Sequence, residues 1–192
     1  MSILHEKILA AVTAEAESRT EWDEPAAFYF LHLDGGVPCL READMAELWK
    51  IADPVALLAS MARRAEQFAQ QLQALAPENL HGLAFRFESW QVHSVRGDDA
   101  RLSGHAAEAR AHRLDRHPER REARSVYAVD RVGITYTRTL FRDGGEPAGG
   151  VEYPRPGKLR TTGSVMRSLD GLVQGMLGVA MPERPYPAGL LR

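Results

Sequence analysis

Two β-rich runs, ARSVYAVD at 123–130 and GITYTRTLF at 133–141, stand almost back to back around Asp130-Arg131-Val132-Gly133. Gly133 can take a positive φ at little cost, so the pair reads as a β-hairpin. A turn that short allows only antiparallel pairing. Parallel strands need a long crossover, so a doubly wound parallel sheet is disfavoured and an α+β fold follows.

The rest of the chain fits that frame. AAFYFLHL, residues 26–33, lies between Pro25 and Asp34-Gly35-Gly36 and is apolar on both faces, as expected of a strand inside a sheet. Leu83, Phe85 and Phe87 alternate with Ala84, Arg86 and Glu88, a half-buried strand reaching about Val95. Trp90 and Val92 switch the apolar groups to the other face, which predicts a bulge or twist near Ser89.

Helical spacing appears four times. Ser2 can cap a first helix with Ile8, Ala11 and Val12 on one face. Arg41 to Ile51 carries Met45, Leu48 and Trp49. Asp53 and Pro54 start an amphipathic helix of about six turns, with Leu58, Met61, Ala65, Phe68, Leu72 and Leu75 inward, ended before Pro77. A last helix from Ser164 turns Val165, Leu169, Leu172, Val173 and Met176 inward. Its Gly171, Gly175 and Gly178 fit close packing against the sheet or a dimer interface. The expected fold is a single α+β domain over 1–192, a mainly antiparallel sheet of about four to five strands with helices packed on it. Residues 96–118 read as a mobile loop, 144–163 as irregular, and 180–192 as an irregular tail.

The densest chemistry is HAAEARAHRLDRHPERREAR at 105–124, with three histidines, six arginines and four carboxylates. His105, His112 and His117 are spaced seven and five apart, which does not keep three ligands on one helical face, and Pro118 disfavours helix at His117. No metal site is expected. Interleaved Glu108, Asp115, Glu119 and Glu122 and a lack of aromatics weaken a nucleic-acid reading. An arginine-lined contact through Arg113, Arg116, Arg120 and Arg121 is the preferred interpretation. With 21 arginines against 3 lysines and much alanine, the arginine content also fits a GC-rich coding bias, so single arginines carry less meaning.

Other chemistry is thin. The Gly-rich DGGEPAGG and GKLRTTGS match neither a P-loop nor a dinucleotide fingerprint and read as turns. Cys39 is the only cysteine, which excludes an intrachain disulfide and a multi-cysteine zinc site; it reads as a half-buried thiol. No G-x-S-x-G elbow is present. Asp23-Glu24 and Asp98-Asp99 read as solvated loop carboxylates and His93 as an ordinary strand residue. Trp22, Phe28, Tyr29 and Phe30 read as core.

No apolar run approaches membrane-spanning length, and the N-terminus lacks a basic region ahead of an apolar one, so a cytoplasmic protein is expected. Residues 1–53 hold eleven carboxylates against four Lys or Arg, whereas 96–192 hold seventeen Lys or Arg against twelve carboxylates. Such asymmetry can steer self-association or an acidic partner. These residues bring no known family into focus. The leading expectation is a non-catalytic binding or regulatory protein acting through protein–protein contacts, a homodimer included, with no cofactor. A small-molecule enzyme with a site assembled from distant residues is the alternative, and a nucleic-acid-associated factor the weaker one.

Overall fold

The computed structural model describes residues 2–49, 52–92, 116–154 and 163–178. Helix α1 (Ile3–Glu17) starts at Ser2, whose hydroxyl accepts the His5 N–H, and buries Ile8, Val12 and Ala16. Strands β1 (Ala27–Asp34) and β2 (Val37–Glu42) form a hairpin over Gly35 and Gly36, both in the left-handed region at φ +55° and +82°. Short helix α2 (Ala46–Trp49) and helices α3 (Pro54–Arg63) and α4 (Ala65–Leu75) follow. Then come β3 (Leu80–Val92), β4 (Arg120–Asp130), β5 (Thr135–Phe141), β6 (Ala148–Glu152) and helix α5 (Ser164–Leu177).

The fold is α+β: one six-stranded sheet, antiparallel throughout, in the order β2-β1-β3-β4-β5-β6. β1 is an interior strand, as its two apolar faces require. Phe28, Phe30, Leu83, Phe85 and Val129 pack on one face against α3, α4 and α5. Their strand neighbours Ala27, Tyr29, Leu31, Ala84, Val126 and Ala128 pack on the other against α1. Two thin cores thus sandwich a sheet whose inner strands are buried on both sides.

Six strands replace the four to five expected, because β2 and β6 are edge strands with weak signatures. β2 (VPCLRE) carries a proline, which only an edge tolerates. It also takes the start of the expected 41–51 helix, of which Ala46–Trp49 is helical among the described residues. β6 lies within the stretch expected to be irregular. Its Gly149 is required by the close approach of β5, since a Cβ there would collide with the Thr137 carbonyl.

The expected six-turn helix is broken at Arg64 (φ −116°, ψ 34°). Both halves pack on α5, and the break lies where Gly175 meets Ala65: a Cβ on Gly175 would come within 2.9 Å of the Ala65 Cβ. Gly171 faces Ala62 in the same way, so these glycines serve helix–helix packing rather than packing on the sheet. No bulge occurs at Ser89. The β3–β4 register runs unbroken from Gly82 to Val92, and the irregularity in β3 lies at His81 instead. Trp90 does share the α1 face of the sheet, but there the strand has outrun its core. The last helix buries Val165, Leu169, Leu172, Val173 and Met176 as expected and ends on Gly178 at φ +60°. Among the described residues no helix is long and apolar enough to cross a membrane.

Candidate functional site

The four arginines singled out in the sequence do not form one patch. Arg113 lies outside the described residues, as do His93, His105, His112, most of the 96–118 loop and the 180–192 tail. Arg116 is exposed just ahead of β4. Arg120 and Arg121 are neighbours on a strand and therefore point to opposite faces. Arg121 is engaged within the fold: it holds Asp143 through two hydrogen bonds at 2.8 and 2.6 Å, and its guanidinium lies 3.8 Å from the Phe141 ring centroid. That pairing holds the Asp143 carboxyl down at about 2, with help from the Gly145 N–H. Arg120 instead lies 5.0 Å over the ring of Trp90, which is 40% exposed. His117 accepts the Glu119 N–H at its Nδ1.

Trp90 and Arg120 occupy an extension of the sheet. β1 pairs with β3 only as far as Arg86, and β5 pairs with β4 only from Ala123. Residues 90–92 and 120–122 therefore form a short two-stranded ribbon beyond the body of the sheet. A stacked tryptophan and arginine on such a ribbon offer a flat, amphipathic surface of the kind that anchors protein interfaces.

Sequence reasoning missed a row of arginines on the α1 face. Arg86 and Arg124 are 4% and 1% exposed, in a part of the sheet where β-strand alternation had already put Arg86 opposite Phe85 and Phe87. Arg124 bonds Glu88 at 3.0 and 2.8 Å, the carbonyl of Arg19 at 2.6 Å and that of Glu21, beneath the Trp22 ring. Arg86 bonds Glu24 at 2.9 Å, the Tyr29 hydroxyl at 3.2 Å and the Pro25 carbonyl at 3.4 Å. Burial opposes the charge on Arg86, but Tyr29 and Glu24 outweigh it and raise its pKa. The Tyr29 phenol is pushed up by burial and by its 2.6 Å bond to Glu15. Together these arginines clamp the 18–25 connector to the sheet. A buried guanidinium is tolerable only with such complete bonding.

Asp23 is solvent-exposed, 72% in its side chain, whereas Glu24 is half-buried. Glu24 is tied to Arg86, and Asp23, held at φ +66°, donates its N–H to Glu88 and pairs with Arg142 at 3.3 Å. The carboxylates of Asp23, Glu88 and Glu122 do converge within 4.8 Å, but Arg124 and Arg142 bond all three. Three carboxylates thus share two arginines in one ion-paired network.

A pocket of about 570 Å³ opens where this clamp meets the start of β1 and the end of β2. Pro25, Met45 and Trp49 form its apolar wall, and Arg19, Glu42 and Asp44 its charged rim. The Trp49 ring stands edge-on to Phe85, centroids 5.9 Å apart. Arg19 is shared loosely among Glu15, Glu24 and Glu42 at 3.6 to 3.9 Å. The ionisable groups among the described lining residues are two arginines and three carboxylates, Arg19, Arg86, Glu24, Glu42 and Asp44.

At the opposite end of β1 and β4, buried Asp130 accepts the N–H groups of Val132 and Ile134 at 3.0 and 2.9 Å and the Tyr136 hydroxyl at 2.9 Å. This carboxylate organises the hairpin turn, which explains its burial without invoking catalysis. His5 bonds the Tyr153 hydroxyl at 3.1 Å nearby. Cys39 is half-buried on edge strand β2, its thiol 3.7 Å from the Val37 carbonyl. Phe28, Tyr29 and Phe30 are core residues, whereas Trp22 roofs the arginine clamp. No protein-family model, curated protein or solved structure matches this chain.

Proposed function

We propose that the protein is a non-catalytic, cytoplasmic binding or regulatory protein that works through a protein–protein contact on the β3–β4 ribbon. The observation that carries this reading is the exposed Trp90 with Arg120 stacked on it. Neither side chain serves the core, and Arg120 forms no ion pair among the described residues. Arg121 braces the ribbon from behind through Asp143. The fitting partner presents carboxylates around an apolar patch. A second copy of the chain is one candidate, since its first 53 residues hold eleven carboxylates against four Lys or Arg.

Nucleic acid fits less well. Arg121, Arg124, Arg138 and Arg142 are each paired with a carboxylate and unavailable to phosphates. The pocket at Trp49 favours small-molecule binding as a second reading.

Light scattering over a concentration series tests the partner. A mass rising above 21.3 kDa, reduced by salt and abolished by Arg120→Glu, identifies a second copy. A mass fixed at 21.3 kDa removes the second copy as the occupant.

A further inference from the structure

We infer that the pocket between the 18–25 connector and the β2–α2 turn binds a small organic cation with an aromatic or aliphatic body. This stands independently of any protein contact at the ribbon. The cavity, about 570 Å³, is of ordinary size for a small ligand, and one side of it is apolar: Trp49, Met45 and Pro25. The charges around it do not balance. Arg86 and Arg19 face Glu24, Glu42 and Asp44, with Glu15 also within 3.6 Å of Arg86 and 3.9 Å of Arg19.

The two arginines are already committed. Arg86 is bonded through each of its three nitrogens to Tyr29, Glu24 and Pro25, and Arg19 is divided among Glu15, Glu24 and Glu42. Asp44 forms no hydrogen bond or ion pair among the described residues, and Glu42, 54% exposed in its side chain, has only the 3.6 Å approach of Arg19. The surplus is therefore negative and lies at the rim next to the tryptophan. An ammonium or guanidinium group meets Asp44 and Glu42 there, while its apolar body lies on Trp49 and Met45. An anion of the same shape meets two carboxylates and, among the described lining residues, no uncommitted arginine.

Calorimetric titration with tryptamine, neutral tryptophol and anionic indole-3-acetate tests this directly, since the three share one ring system. The expected result is saturable one-to-one binding of tryptamine, about tenfold or more tighter than tryptophol, with indole-3-acetate weakest. In Glu42→Gln/Asp44→Asn the tryptamine preference should disappear while the urea midpoint holds. Asp44→Asn alone, at an exposed residue, serves as the check on folding and should lose part of the preference. Equal or tighter binding of the acetate, a preference unchanged in these variants, or no binding by any of the three overturns the inference.

Discussion

Arg124→Met tests the clamp that fixes the α1–β1 connector. The substitution keeps most of the side chain's apolar volume but removes its donors. Glu88, 14% exposed in its side chain, loses its cation, and the Arg19 and Glu21 carbonyls lose their donor. Breaking one side of a buried ion pair costs about 3–5 kcal/mol. Glu88 keeps the Asp23 N–H at 2.8 Å, so the lower end, about 3 kcal/mol, is expected. With a urea slope of about 2 kcal/mol per molar, the unfolding midpoint should fall by roughly 1.5 M. The loss is a large share of the roughly 5–15 kcal/mol that holds a domain together. Glu88→Gln should cost less, and the double variant clearly less than the two single costs added. The reasoning fails if Arg124→Met costs under about 1 kcal/mol, or if the two substitutions add within about 0.5 kcal/mol.

Three further outcomes follow from the same geometry. Gly175→Ala should destabilise by about 1–3 kcal/mol because its Cβ meets Ala65, whereas Gly171→Ala, with 3.6 Å to Ala62, should stabilise by about 0.5–1 kcal/mol through helix propensity; thermal melts of both variants decide it, and equal effects would contradict the packing described. Asp130→Ala should cost about 3 kcal/mol by stranding two N–H groups and a hydroxyl, and Tyr136→Phe only about 1 kcal/mol, read from urea midpoints. Burial, opposed by Asp130, lowers the His81 pKa, so the folded state binds fewer protons than the unfolded one below its ordinary value of 6.5. The stability this contributes is complete above about pH 6.5 and is lost as pH falls toward the folded value; His81→Gln should flatten the pH dependence just below about pH 6.5, and an unchanged slope would remove His81 as its source.

Much of the fold was legible because its elements advertise themselves. The hairpin at 123–141, the two-faced apolar run of β1 and the stripe of α5 each state both their structure and their burial. The edges were illegible for a physical reason: β2 and β6 bury little, so VPCLRE and AGGVE lack the alternation of an interior strand. The break at Arg64 leaves the apolar stripe over 54–75 continuous, so periodicity alone does not reveal it. The arginine clamp was hidden by composition. In an arginine-rich chain Arg86 and Arg124 look unremarkable, yet the parity of Arg86 with Ala84 on an interior strand was a usable signal. The pocket had no signal at all, since its wall and rim come from the connector, β2 and α2 together.

Photo-crosslinking from position 90 tests the central claim most directly, with Trp90 replaced by p-benzoylphenylalanine and the protein irradiated inside cells. The account predicts one discrete protein adduct, to a second copy or to an acidic partner, that disappears when Arg120→Glu is added. No adduct, or an adduct indifferent to Arg120→Glu, would contradict a contact built on this tryptophan and arginine.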